Sequence, residues 1–263
     1  SASSLWIVNS LYSIGYMRGR REPNQTRFYV CFALAMFGVM GVAMAGNLLT
    51  LFVFYEILTF STYPLVTHKG DEAARRAGRI YLGILVGASV TLLLPGIIAV
   101  HVLAGSTEFV AGGLLAGKVA PGVAGILLLL LVFGAAKAAL MPVHAWLPNA
   151  MVAPVPVSAL LHAVAVVKAG VFLILKVSAY IFGSILISEM RAAQYLLWLA
   201  AATIVIASLV ALRKDDLKAR LAWSTVSQLA YITSAALIPA SAGLIAGGLH
   251  MLTHAVAKIT LFM

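Results

Sequence analysis

Long apolar runs alternate with short charged clusters along the whole chain. The runs cover a stretch ending near Met17, then 28–45, 47–66, 80–104, 121–141, 156–182, 194–212, 220–238 and 241 to the end. Most come close to or exceed the ~18 residues that a bilayer crossing requires. They are apolar nearly all round, whereas a soluble core would need a polar face on most helices. The pattern therefore predicts an all-α, polytopic transmembrane bundle of about nine spans, the outermost two incomplete. The chain opens at Ser1 with no charged flank and stops at Met263 inside "KITLFM". It reads as a fragment of a longer protein, with no cleavable signal pattern at its start.

Composition agrees, with 62% hydrophobic and 10% charged residues and a mean hydropathy of +1.03. The single cysteine, Cys31, lies in an apolar run, which excludes a disulfide framework and reads as a packing residue. The net charge of +10 does not point to nucleic acid, because 12 of the 18 Lys and Arg fall in three clusters around Arg20, Arg76 and Lys214. Connections on the other side hold only Lys118 and Arg191. The positive-inside rule places the three basic clusters in the cytoplasm.

The remaining four lysines, Lys137, Lys168, Lys176 and Lys258, lie within apolar runs. A charge at the bilayer centre costs about 3 kcal/mol on insertion scales, so such residues usually face the bundle interior or a hydrated path. Lys168 is too far from the start of its run to snorkel, whereas Lys176 suits an interfacial role. Glu56, the tenth residue of the 47–66 run, is the one acidic residue near mid-bilayer. It needs a partner, and Lys137 is the natural candidate. At ~4 Å and an effective dielectric of ~20, such a pair is worth roughly 4 kcal/mol. Thr59 and Tyr63 share its helical face.

His250, His254 and Lys258 recur at i, i+4 and i+8 on one face, which suits a proton relay. Two histidines at that spacing also suit zinc, but no third ligand is evident and Lys258 would repel the cation. His162 reads equally well as a hydrogen-bonding partner between helices. Ser224, Gln228 and Tyr231 line one face as helix-joining polar groups or as a water-lined stretch. In "FGAAKAALMPVHAWLPNAM" the prolines Pro142 and Pro148 predict a broken helix, with the run containing Lys137 kinking or ending at Pro142. Unwound backbone in a membrane is buried in protein or lines a cavity, and transporters place it beside ion sites.

The segments "GNLLTLFVFYEILTFSTYPLV", "FGAAKAALMPVHAWLPNAMVAPVPVSALLHAVAVVKAGVF", "LKARLAWSTVSQLAYI" and "GLHMLTHAVAKITLFM" together resemble the antiporter-like membrane subunits of respiratory complex I (NADH:quinone oxidoreductase), Mrp-type cation/proton antiporters and membrane-bound hydrogenases. Within that family the segments are most similar to the D-like group of Mrp proteins. The resemblance implies a core of fourteen helices with two inverted five-helix repeats, each containing a broken helix. On this chain it implies the end of a preceding helix and a basic cytoplasmic loop at 1–27, a first repeat at 28–182, and a truncated second repeat at 194–263. Glu56 matches the glutamate paired with the broken-helix lysine, Lys137. Lys168 matches the titratable residue of the following helix, and Lys258 the central lysine. Asn149 departs from the Asp that many relatives carry in "WLPDA".

The function expected is proton translocation along Glu56, Lys137, Lys168, His250, His254 and Lys258, in a multi-pass subunit of the bacterial cytoplasmic membrane. Its partners would be other membrane subunits and the lipid bilayer, and its cargo protons, with sodium left open. No redox-cofactor motif, phosphate-binding loop or catalytic triad is found, so no cofactor, metal or redox site of its own is expected, and translocase activity would belong to the whole complex. Two alternatives stay open: a stand-alone secondary transporter binding an anion at Lys137 and Lys168, and a bicarbonate-uptake or scaffolding subunit of the same superfamily.

Overall fold

A computed structural model describes residues 2–263. Helix α1 (Ala2–Gly19) is followed by α2 (Gln25–Met44), α3 (Leu48–Val66), and α4 (Glu72–Ala88), which runs through a π-helical turn at Ser89–Leu93 into α5 (Leu94–Ala104). After an outer connection comes α6 (Pro121–Gly134), then a 3-10 turn at Ala136–Ala138, the short α7 (Trp146–Asn149) and a second 3-10 turn at Ala150–Val152. A long rod then links α8 (Val155–Ala159), a π turn at Leu160–Val164, α9 (Val166–Lys176), a π turn at Val177–Phe182 and α10 (Gly183–Glu189), with a change of direction at Gly183 (φ 76°, ψ 160°). Helices α11 (Arg191–Leu212), α12 (Leu217–Leu237) and α13 (Ser241–Phe262) complete the chain.

Local chemistry sets several of these ends. Asn47 and Asp71 accept from the backbone N–H of Thr50 and Ala74 at 2.7 Å, and Asp216 from that of Ala219 at 3.0 Å. Each satisfies an amide that a helix start leaves unpaired. Among the described residues, six helices are long and apolar enough to cross a membrane: 25–44, 48–66, 72–104, 155–189, 191–212 and 241–262. The protein is an integral membrane protein built as an all-α bundle. The other three expected spans correspond to α1, α6 and α12. Helix α6 is cut short at 14 residues, and α12 carries a row of Ser, Thr, Gln, Lys and Arg that lowers its hydropathy.

The 155–189 rod is the centre of the molecule, with 94% of its apolar window buried against 28 to 44% for the other five. Helices α2, α3, α12 and α13 pack around it. Its two π turns follow no signal in the hydropathy pattern. The second presents the carbonyls of Tyr180 and Ile181 to the amides of Leu114 and Leu115 in the outer connection, both at 2.9 Å.

The expected break is present but begins earlier than Pro142. Helix α6 ends at Gly134, so Lys137 stands in the 3-10 turn beyond it. Gly134 presses on the π turn so closely that a Cβ would overlap the backbone of Leu93. The chain then leaves helical geometry at Ala135 (ψ 47°) and turns through a left-handed Ala139 (φ 52°). Pro142 is exposed in the turn that follows. Pro148 sits in the first turn of α7, where a missing N–H costs nothing. As expected of this proline-rich segment, it folds into the bundle: Trp146 is fully buried and its indole donates to Ala136 O at 2.9 Å.

Candidate functional site

The break delivers Lys137 to one turn of α3. The side chain is fully buried, and Nζ donates to the carbonyl of Tyr55 and the hydroxyl of Thr59, both at 2.7 Å. Nζ also lies over the Tyr55 ring, 3.0 Å from its centroid. The Lys137 backbone N–H, freed from the helix, donates to the Tyr55 hydroxyl at 3.2 Å. Behind this turn Thr62 and Tyr81 share a hydrogen bond of 2.6 Å, and Tyr81 packs edge-on against Trp146.

Glu56 is half-buried, and both carboxylate oxygens lack a hydrogen-bond partner among the described residues. It lies within electrostatic reach of Lys137. In this structure the ammonium is held by Tyr55 and Thr59, so the expected pair is adjacent but not hydrogen-bonded.

Lys168, 7% exposed, opens a second cluster. Its ammonium meets Nδ1 of His254 on α13 in a short contact. The His254 ring lies parallel to that of His250, with centroids 6.4 Å apart and planes 7° apart, and Tyr231 packs beside His250. A cavity of about 300 Å³ between α1, α2, α9 and α13 reaches Lys168, but Val39, Phe172, Met251 and the rest of its lining are apolar. Such a space does not by itself form a polar path. No three His, Cys, Asp or Glu side chains converge as metal ligands among the described residues.

Lys258, 5% exposed, donates to Leu221 O at 3.2 Å and makes a short contact with Ser224 Oγ on α12. The face shared by His250, His254 and Lys258 thus splits between two neighbours: His254 turns to α9, Lys258 to α12. His162 is fully buried, and neither ring nitrogen has a hydrogen-bond partner among the described residues, so it does not join helices by hydrogen bonds. It packs instead against Phe262, with centroids 5.0 Å apart and planes tilted by 35°.

Two lysines serve the framework. Lys176 donates to Ala45 O at 2.6 Å, at the C-terminal end of α2 where a cation is favoured, and lies over the Phe109 ring. Lys218, which the hydropathy pattern assigns to a basic connection, reaches inward to Met151 O and Ala153 O, both at 2.6 Å. It ties the start of α12 to the end of the broken segment that follows α6.

Residues 45–263 match the family described as NADH:quinone oxidoreductase/Mrp antiporter, TM. The chain is 34% identical over 266 residues to NAD(P)H-quinone oxidoreductase chain 5 of Picosynechococcus sp., covering 98% of this chain and 38% of that one. It spans little more than a third of the length of the curated relatives it matches. Its fold superposes on a chain of the Mrp complex from Dietzia sp. DQ12-45-1b with a TM-score of 0.78 at 31% identity, over 90% of this chain and 26% of that one. It also superposes on a chain of the membrane-bound sulfane sulfur reductase, an archaeal respiratory membrane complex, with a TM-score of 0.76 at 29% identity over 90% and 48%.

Proposed function

Because the chain belongs to the NADH:quinone oxidoreductase/Mrp antiporter membrane family, we propose that it carries protons within a membrane subunit of a multisubunit Mrp-type antiporter or complex I-like oxidoreductase. One observation supports this reading above others. Lys137, Lys168 and Lys258 are all buried, and their side chains are held by hydroxyl, carbonyl and imidazole groups, with no hydrogen bond to a carboxylate among the described residues. A lysine fixed in an ion pair keeps its proton, whereas one buried among neutral partners can give it up.

In the proposed sequence Lys137 holds a proton on Tyr55 and Thr59, with Glu56 beside it. Movement of the ammonium towards Glu56 retains the proton, and movement away releases it towards Lys168. The Lys168–His254 contact carries it from α9 to α13, His250 stacks on the same route, and Lys258 at Ser224 continues it. The drive would come from a neighbouring subunit, and sodium could accompany or exchange with the protons. The segments 28–182 and 194–263 would be a first repeat and part of a second, set in a bacterial cytoplasmic membrane.

The test is Lys168→Ala in the full-length protein within its complex, reconstituted in vesicles with a pH-sensitive dye. The proposal predicts at least a tenfold loss of proton flux per assembled complex (roughly 1.4 kcal/mol or more in barrier terms). Flux at the wild-type level would overturn it.

A further inference from the structure

Lys137 and Lys258 lie far apart in the chain, yet the same three-group arrangement holds each ammonium. Lys137 Nζ donates to Tyr55 O and Thr59 Oγ1, and the Thr59 hydroxyl lies 3.1 Å from that same carbonyl. Lys258 Nζ donates to Leu221 O and Ser224 Oγ, and the Ser224 hydroxyl again lies 3.1 Å from the shared carbonyl. Back-bonding of Ser and Thr to a carbonyl one turn earlier is common in helices. Thr233 and Ser234 do so here, to Leu229 O and Ala230 O. A buried lysine bridging the hydroxyl and its carbonyl is the added feature.

The arrangement matters when the lysine loses its proton. An ammonium has three donors and no acceptor, so it suits two oxygens. A neutral amine keeps two N–H donors and gains a lone pair, which stays unbonded among carbonyls and rings unless a neighbour can donate to it. A hydroxyl resolves this because it can donate as well as accept. Its proton can leave the carbonyl and point at the amine nitrogen. At Leu221 the carbonyl is also reached by Thr225 Oγ1 at 2.9 Å, so it keeps a side-chain donor when Ser224 turns away.

We propose that Thr59 and Ser224 are the switching partners of Lys137 and Lys258: each hydroxyl accepts from the charged lysine and donates to the neutral one, keeping its own proton throughout. The lysine proton passes on along the relay, so no charge is created at the hydroxyl and no bond of the hydroxyl breaks. This rests on the proton-carrier reading above.

Among the described residues, the groups around Lys137 leave Thr59 as the one side chain hydrogen-bonded to its ammonium. Glu56 and Tyr55 face it from α3, Glu56 without a hydrogen bond to it and Tyr55 through its carbonyl and ring. Tyr81 on α4 is engaged by Thr62. Helix α9 touches the turn at Gly170, and its Lys168 is engaged by His254. The charged residues of α12, Lys218 and Arg220, are bound at its first turn, to Met151 O and Ala153 O and to Lys214 O. Around Lys258, on α13, α12 offers Ser224 and the same Lys218 and Arg220, while α13 itself places His254 one turn away, turned to Lys168. From the 155–189 rod His162 faces it electrostatically, as does Lys168.

The experiment measures proton flux against pH for Thr59→Val, Thr59→Ser, Ser224→Ala and Ser224→Thr in the full-length protein within its complex, with Lys137→Ala alongside. Thr59→Val and Ser224→Ala should each lower flux per assembled complex about tenfold. Hydrogen bonds to a charged group are the stronger ones, so the ammonium loses more than the amine, and the pH profile should move down by about one unit. Thr59→Ser and Ser224→Thr should recover most of the flux. Lowered flux with an unmoved pH profile would mean that the hydroxyls only support the fold, and would overturn the inference. Wild-type flux in both Thr59→Val and Ser224→Ala would also overturn it, leaving the carrier reading intact if Lys137→Ala abolishes flux. Wild-type flux in Lys137→Ala would remove the carrier reading itself.

Discussion

Glu56 follows Tyr55 directly, and Tyr55 holds the Lys137 ammonium through its carbonyl and ring, while the carboxylate oxygens are buried without a hydrogen-bond partner among the described residues. A buried carboxylate in that position has two ways to lower its cost: to take up a proton or to draw the ammonium to itself. The second gives Lys137 two resting places separated by one residue of α3, which is what a carrier requires. Glu56→Gln should therefore cut proton flux at least tenfold at normal complex abundance, and Glu56→Asp should retain more flux than the amide. Adding Glu56→Gln to Lys137→Ala should cause little further loss, since both remove one interaction. Flux per assembled complex decides the matter, and wild-type flux in Glu56→Gln would contradict this role. Lys137, Lys258 and Glu56 were legible in the sequence because a charge inside an apolar run has few bland explanations. The contacts of Thr59 and Ser224 with the two lysines were not, since a hydroxyl in a helix usually bonds only its own backbone. Nor was the Lys168–His254 contact, which spans 86 residues and exists only through the packing of α9 on α13.

At the scale of elements, the break depends on close backbone crossings more than on prolines. Gly170 on α9 lies so near the Lys137–Ala138 backbone that a Cβ would overlap Ala138 N and the Lys137 carbonyl carbon. Gly170→Val should displace the turn that carries Lys137 and destabilise the fold by about 1–3 kcal/mol or more. Thermal unfolding and complex abundance should both fall, and a variant with wild-type stability and flux would show that the turn is not held there. Hydropathy located every long helix, since each must match the bilayer in length and polarity, but it missed single ends by seven or eight residues at 72, 134 and 189. It located the break through Pro142 and Pro148, yet α6 ends at Gly134, where Leu93 crosses it closely, a contact that no local pattern encodes. The π turns at Leu160–Val164 and Val177–Phe182 escaped for the same reason.

Across the whole molecule, the four lysines of the apolar runs divide by what holds them. Lys176 bonds the free C-terminal carbonyl of α2 at Ala45, as a cap would. Lys137, Lys168 and Lys258 are buried around the central rod, and each contacts a hydroxyl or an imidazole, groups that can accept or donate as the lysine changes protonation. The bundle thus separates one half-buried lysine at a helix end from three buried ones, a division that the sequence expected from the position of Lys176 near the end of its run. The central claim is that burial among neutral partners marks a carrier. Its most direct test compares proton flux per assembled complex, in vesicles containing the full-length protein within its complex, for Lys137→Ala and Lys176→Ala. The account predicts that Lys137→Ala loses at least nine-tenths of the flux while Lys176→Ala keeps most of it. Equal fluxes in the two variants would contradict it.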